Sequence, residues 1–527
     1  MLSYRVHRYF FRKLVDLVTE HKDTNNAAVH DKDNLKYFEK YFEDVKAGTI
    51  VVEYPYIDRG FIEDYAGYYS RCFHQYERFC TRLHFFDDTI STRQIGHFLK
   101  SLLKIPPTAE DSMVQALNNA YLGFFVVKPL PNTVIGRTCL RTYPEEDRRN
   151  YPTIRDYTAN LFGLELKVQT LAFQEQDLTI SRCATSALWS LLQASSVLFQ
   201  HQELSPVQIT TAAAVRFPTE TRYLPSDGLS GVQIADVIRT AGLEPTAIDA
   251  KDDYVLKSTV FSYLMAGIPI IMCLAVGETP EETERELHAV TVTGFSLGGQ
   301  LTTCQCQSDC QFLLRASRID ELYAHDDQVG PFAKMVFESF SADDDPDAQH
   351  KLPQLITPVG KGKSRTSCPL LLIMPLYHKI RIPFKDVFQA THEFDHYYRF
   401  YAPENFPKDL EWQIALIEIN RLKESIFWND DKCVAPINRS AILKSRLPRF
   451  MWRATACFED QPFLELLFDA TDIEQGRLFV GSIEYDSSLP KVLAKMAEEL
   501  FREKGANFKE EPAGAVFYWY TGDRRKG

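Results

Sequence analysis

Cys183 stands in SRCATSALWSLLQ (residues 181–193), with Arg182 before it and an apolar run at helical spacing after it, through Ala184, Leu188, Leu191 and Leu192. A buried structural cysteine needs no such setting, whereas a nucleophile gains from each part of it. In the first turn of a helix, unpaired N–H groups and the positive end of the dipole favour thiolate over thiol. The Arg182 cation pushes the same way. Such a nucleophile needs a base, usually His, held by a third polar group. Of the 13 histidines, His288 is the best placed. It heads HAVTVTGFSL (288–297), a β-branched strand in which His288, Val290 and Val292 share a face. A third member is expected from ELYAHDDQ (321–328), where Asp326 lies on the face of Leu322 and Ala324. Gln176, a few residues before the cysteine, can place an amide beside the Cys183 backbone N–H and so complete an oxyanion hole.

These residues need elements to hold them. ELKVQTLAFQEQD reads as a strand leading into the Cys183 helix, and SPVQITTAAAV and SGVQIADVIRTAGL as two further helices, the second capped by Ser230 and ended by Gly242. GIPIIMCLAV (267–276) is a strand candidate. Upstream, TIVVEYPYI (49–57) alternates like a strand, residues 61–86 carry aromatics at helical spacing, and 121–140 reads as strand, turn and strand. MLSYRVHRYFFRKLVDLV reads as an amphipathic helix and not as a signal peptide. Downstream, LLLIMPLY, RLFVGSIEY and AVFYWY read as strands, and EWQIALIEINRLKESIF and LPKVLAKMAEELFREK as helices. The Pro-containing, charged stretches 141–157 and 341–354 punctuate the chain, the latter as a linker or exposed loop. Three parts result: a mixed helix/strand domain over 1–158, a catalytic domain over 159–345 and an α/β domain over 346–527.

The order Gln, Cys opening an apolar helix with Trp189 inside it, GIPIIMCLAV, HAVTVTGF, then a strand ending in Asp resembles the papain-like superfamily of cysteine peptidases. It is most similar to the bacterial C39-like branch, which GLSGVQIADVIRTAGLEPTAI also resembles. The resemblance covers roughly a third of the chain. It implies an α+β core, a Cys-bearing helix packed on an antiparallel sheet, with mixed α/β domains on either side. It implies Cys183 as nucleophile, His288 as general base and acid, Asp326 as orienting acid and Gln176 as oxyanion donor. Many relatives carry Gly after the Cys, where this chain has Ala184. Gln176 lies further upstream than the usual spacing, which leaves Gln174 and Asp177 as alternatives. An inserted GGQLTTCQCQSDCQF lengthens the gap to the Asp and leaves Asp327 an alternative to Asp326.

Other signals are weaker. HEFDH (392–396) matches HExxH, which on a helix would set His392 and His396 on zinc with Glu393 as base. Asp395 inside the motif, the surrounding aromatics and the lack of a third ligand favour an amphipathic helix face instead. The thiols of CQCQSDC (304–310) have awkward CxC spacing for zinc and read as free thiols in a loop; GETPEETERE (277–286) and GKGKSR (360–365) read as exposed loops. No Gly-rich phosphate loop supports nucleotide use. A net charge of −12 argues against a nucleic-acid or anionic-membrane binder. No window reaches the ~18 apolar residues that span a bilayer. Eleven cysteines, an odd count without a framework of spacings, fit a reducing cytosol, and a cytoplasmic location is expected.

The expected activity is therefore that of a cysteine peptidase or isopeptidase that acts on a protein or peptide substrate without metal or organic cofactor. The flanking domains are expected to shape substrate entry or to answer a regulatory protein partner. The alternatives are a non-catalytic binding or scaffold protein on the same fold, a deamidase or acyltransferase, and, last, a zinc metallopeptidase through HEFDH.

Overall fold

The computed structural model describes residues 4–102, 112–144, 148–177, 179–180, 182–214, 228–277, 286–298, 312–338, 353–360, 362–428, 436–471 and 478–521. The fold is mixed α+β with several antiparallel sheets. The chain forms two compact units whose bounds cross those read from the sequence. One holds residues 1–251, 267–296 and 321–375; the other holds 252–266, 297–320 and 376–527. The stretch 1–158 therefore shares a unit with most of 159–345. The inserted loop 299–311, with CQCQSDC, and most of the acidic stretches 277–286 and 341–354 lie outside the described residues, as does Lys361 of GKGKSR.

In the first unit, strands Tyr4–Arg8, Ala47–Tyr56, Cys80–Asp87, Tyr121–Val127 and Ile135–Leu140 form an antiparallel meander in chain order. Period-two alternation sends Ile50 and Val52 to one face, with Phe38, Phe42, Phe85 and Phe125. Val51 goes to the other, with Tyr121, Phe124 and Leu188. Both faces are covered, which is why YLGFFVV is buried throughout. The N-terminus corrects the single-helix expectation: Tyr4–Arg8 pairs with Thr49–Glu53, and the helix starts only at Phe11. Likewise 61–86 is not one helix. It ends at Gly67 and gives way to the buried strand Cys80–Asp87. In both places strand pairing overrides the helical spacing of the aromatics.

A second sheet in this unit carries His288 and Asp326. Ile270–Gly277, Glu286–Leu297, Ile319–Asp326, Gly330–Phe337, Leu355–Gly360 and Lys363–Leu376 follow one another as neighbours, and the last also pairs with the first, so the sheet closes on itself. Helix Cys183–Phe199 packs through Ala184, Ala187, Leu188 and Leu191 in one cluster with Ile271, Ala289 and Ile373 of that sheet. Thr291 Oγ1 donates to the Ala187 carbonyl at 2.7 Å and pins the helix to the His288 strand. A Cβ on Gly294 would lie 2.4 Å from the Asn150 carbonyl oxygen, so this glycine admits the short pairing strand at 149–150. Helix Gly231–Thr240 has a capping box, with Ser230 accepting from Gln233 N and Gln233 accepting from Ser230 N, and Gly242 at φ +84° follows its end.

The second unit pairs strands Glu411–Glu418, Phe450–Phe458, Gln461–Asp469 and Phe479–Glu484 antiparallel, with Leu313–Leu314 parallel to the first. Two expectations are corrected here. EWQIALIEINRLKESIF opens as a strand, because Trp412, Ile414 and Leu416 alternate into the core, and becomes helical only over Ile419–Phe427. AVFYWY belongs to helix Pro512–Tyr520: Pro512 sits in its first turn, and Ala513, Val516 and Phe517 are buried at i, i+3 and i+4. Among the described residues, no helix is long and apolar enough to cross a membrane.

Candidate active site

Cys183 is the first residue of its helix, half-buried, with Arg182 as the N-cap. His288 lies at the head of the strand Glu286–Leu297 and is 6% exposed. Its Nε2 is 3.0 Å from Asp326 Oδ1, in a pair closed off from solvent. The Cys183 side chain lies close enough to the imidazole to bear on its charge. With Nε2 on Asp326, Nδ1 is the nitrogen left for the thiol. The fold thus brings Cys183, His288 and Asp326 into one chain of contacts, all within the first unit.

The electrostatics follow from that packing. Burial by itself would lower the His288 pKa. The charge and hydrogen bond of Asp326, the Cys183 side chain and the charge of Asp327 override it and hold the imidazole well above its ordinary value. Burial works to raise Asp326 in turn, but His288, the Gln328 N–H and Arg365 bring it below the usual carboxylate range.

Asp327 behaves differently. The strand ends at Asp326 and Asp327 opens the turn that follows, so two consecutive carboxylates lie near one imidazole. Asp327 Oδ1 is 3.7 Å from His288 Nε2. It is 3% exposed, and neither of its carboxylate oxygens has a hydrogen-bond partner among the described residues. Burial raises its pKa to about 7, against the pull of His288 and with the help of Asp326 and Glu175.

The surrounding backbone is braced. His325 Nδ1 accepts from Phe332 N, and its Nε2 donates to the Leu171 carbonyl at 3.0 Å, which defines a neutral tautomer. Burial holds its pKa down to about 3, in keeping with that role. The bond ties the segment before the Cys183 helix to the strand that ends in Asp326. Asn34 Nδ2 donates to the Asp327 carbonyl at 3.0 Å.

The three oxyanion candidates separate. Gln176 is half-buried and makes no side-chain hydrogen bond among the described residues. Gln174 is buried, and its Nε2 lacks a partner. Asp177 accepts from Tyr69 Oη at 2.8 Å and from Thr179 N and Ile180 N at 3.0 and 2.6 Å, so it shapes the turn into the helix.

Sequence reasoning passed over Cys273. It lies on the strand next to His288, opposite Ala289, and packs with Cys183 against the same core. Burial first, then the proximity of Cys183, push its thiol up to about 11, although His288 pulls the other way. A strand register placing GIPIIMCLAV against HAVTVTGF is the signal that could have found it.

HEFDH lies on helix Phe384–Tyr401 in the second unit. Glu393 accepts from Ala513 N and Gln389 Nε2, and Asp395 from Trp412 Nε1 and Arg399 Nε. The His392 ring lies against Phe388 and Phe312. Both carboxylates are thus committed to structure. Among the described residues, the group of His, Cys, Asp and Glu close enough to share a cation is His288, Asp326 and Asp327. Compared with protein-family models and with the curated proteins, the sequence matches none.

Proposed function

We propose that this chain is a cysteine peptidase or isopeptidase of papain-like, C39-like type. The observation that carries the reading is one buried imidazole shared by the Cys183 thiol and the Asp326 carboxylate. The helix that starts at Cys183 and packs on an antiparallel sheet bearing His288 and Asp326 supports the same assignment.

Cys183 Sγ attacks the carbonyl carbon of an amide, and the C–S bond forms as the carbonyl electrons move to oxygen. The imidazolium, facing the sulfur with its charge stabilised by Asp326, is the setting in which a thiolate is the attacking form. His288 then passes a proton to the nitrogen as the C–N bond breaks, leaving a thioester. A water molecule deprotonated by the same imidazole hydrolyses the thioester to a carboxylic acid and restores Cys183. The unpartnered amide nitrogen of Gln174 favours it over Gln176 as the side-chain donor to the oxyanion. Asp177, an acceptor in each of its hydrogen bonds, does not suit that role.

The test is the rate of Cys183 alkylation by iodoacetamide against pH, read by intact mass, in wild type and His288→Ala. Selective modification well below the ~8.5 of a free thiol, slowed by the substitution, is the expected result. Slow modification with a free-thiol profile, the same in both proteins, would leave the fold without the chemistry and favour a binding or scaffold role.

A further inference from the structure

Asp327 is the unexplained part of this site. A carboxylate 3% exposed, with both oxygens lacking hydrogen-bond partners, is an expensive thing to bury. The Arg365 guanidinium and the Lys32 ammonium are engaged elsewhere, Arg365 by Gln328 and Asp33, and Lys32 by Glu175. The third carboxylate in the neighbourhood, Glu175, is satisfied by Lys32 and the Ile135 N–H. What Asp327 faces is His288 Nε2 at 3.7 Å, the same nitrogen that Asp326 Oδ1 meets at 3.0 Å. Ligand atoms of these three residues all lie within 4.8 Å of one another.

That spacing is the spacing of a coordination sphere. Bond lengths near 2.1 Å place neighbouring ligands of a first-row cation roughly 3 to 3.5 Å apart; the 3.0 Å distance falls in that range and the 3.7 Å distance just above it. One imidazole and two carboxylates suit a divalent cation such as Mn²⁺ or Zn²⁺ and would leave coordination positions for water. The site forms where the strand ends: Asp326 is its last residue and Asp327 the first of the turn, so the alternation of a sheet does not bind the second carboxylate.

We infer that His288 Nε2, Asp326 and Asp327 form a divalent-cation site at the acidic end of the triad, and that its occupancy silences the cysteine. The silencing half rests on the proposed function; the binding half does not. The cation takes the Nε2 lone pair and the proton on that nitrogen passes to solvent; the ring, now neutral with its remaining proton on Nδ1, has no place for the proton of the Cys183 thiol, which stays on sulfur. The base is removed without any contact to sulfur.

Binding is tested in the full chain carrying Cys183→Ala, with Mn²⁺ as probe because thiols hold it poorly and eleven cysteines are present. Loss of the free-ion EPR signal should report one bound Mn²⁺ per chain. Asp327→Asn and, separately, His288→Gln should each weaken binding at least tenfold, while Asp460→Asn on an exposed turn should not. Failure to bind, or binding indifferent to Asp327→Asn, overturns the site whatever the cysteine does. In wild type, Mn²⁺ should slow Cys183 alkylation at neutral pH at least fivefold, an effect lost in Asp327→Asn. Binding without that slowing overturns the silencing and leaves the alkylation test of the Cys–His pair standing.

Discussion

Two neighbouring aspartates, chemically identical in the chain, take opposite electrostatic roles because one is hydrogen-bonded and the other, 3.7 Å from the same imidazole, is not. Their pH signatures should separate. His288 is raised in the fold, so its contribution to stability is complete below the unfolded value of ~6.5 and fades as pH rises through the folded one. Asp327, raised to about 7, keeps a proton that the unfolded chain has already lost, so stability falls as pH climbs from ~4 to ~7 and levels off above. Asp327→Asn should remove that fall and stabilise the protein at pH 8 by roughly 2–4 kcal/mol, as a raised buried carboxylate implies; urea denaturation at pH 5 and pH 8 measures it. A gain at pH 5 as large as at pH 8 would contradict the assignment. Gln174→Ala should reduce acyl-enzyme formation about 10²–10³-fold and Gln176→Ala far less, as for loss of one oxyanion donor, read by a burst of product from an activated ester. The cysteine, the histidine and the acidic pair were legible as residues. The face shared with Leu322 and Ala324 favoured Asp326 and left Asp327 open; that the strand ends between the two leaves no mark in a DD dipeptide.

At the scale of elements, the helix that starts at Cys183 is held by a short list of contacts. Thr291→Val keeps the shape and removes the bond to the Ala187 carbonyl, which should cost about 1–2 kcal/mol. Gly294→Ala forces a Cβ against the Asn150 carbonyl, which should cost about 1–3 kcal/mol. Thermal or urea denaturation reads both, and a neutral Gly294→Ala would mean that the 149–150 strand can retreat without penalty. Elements with one clear period were readable: the Cys183 helix, the His288 strand, and the Ser230 cap with Gly242 beyond it. Those that failed carry two periods at once. In EWQIALIEINRLKESIF the apolar residues satisfy both a strand and a helix, and the neighbouring strand Phe450–Phe458 decides. In AVFYWY, β-prone aromatics are drawn into a helix by burial at i, i+3 and i+4.

At the scale of the molecule, the surprise is the threading. The unit that holds the site gathers three separate stretches of chain, and the closing strand Lys363–Leu376 comes from beyond the acidic 341–354 stretch that reads as a boundary. No local pattern announces that closure, since it is a pairing between residues about a hundred apart. A chain of residues 159–345 alone should therefore fail to fold cooperatively, lacking both Leu355–Gly360 and Lys363–Leu376. A sharp melting transition from that fragment would show the closure to be dispensable.

Closure of the sheet on itself also sets an order of events during synthesis. Cys183 leaves the ribosome well before His288, and His288 before the two aspartates, with the strand that seals the sheet last of all. Throughout that interval the nascent chain carries a thiol without its base and a histidine without its counter-ion. If the proposed chemistry holds, a chain cut before Leu376 should show no selective Cys183 alkylation, since the strand that seals the sheet is missing.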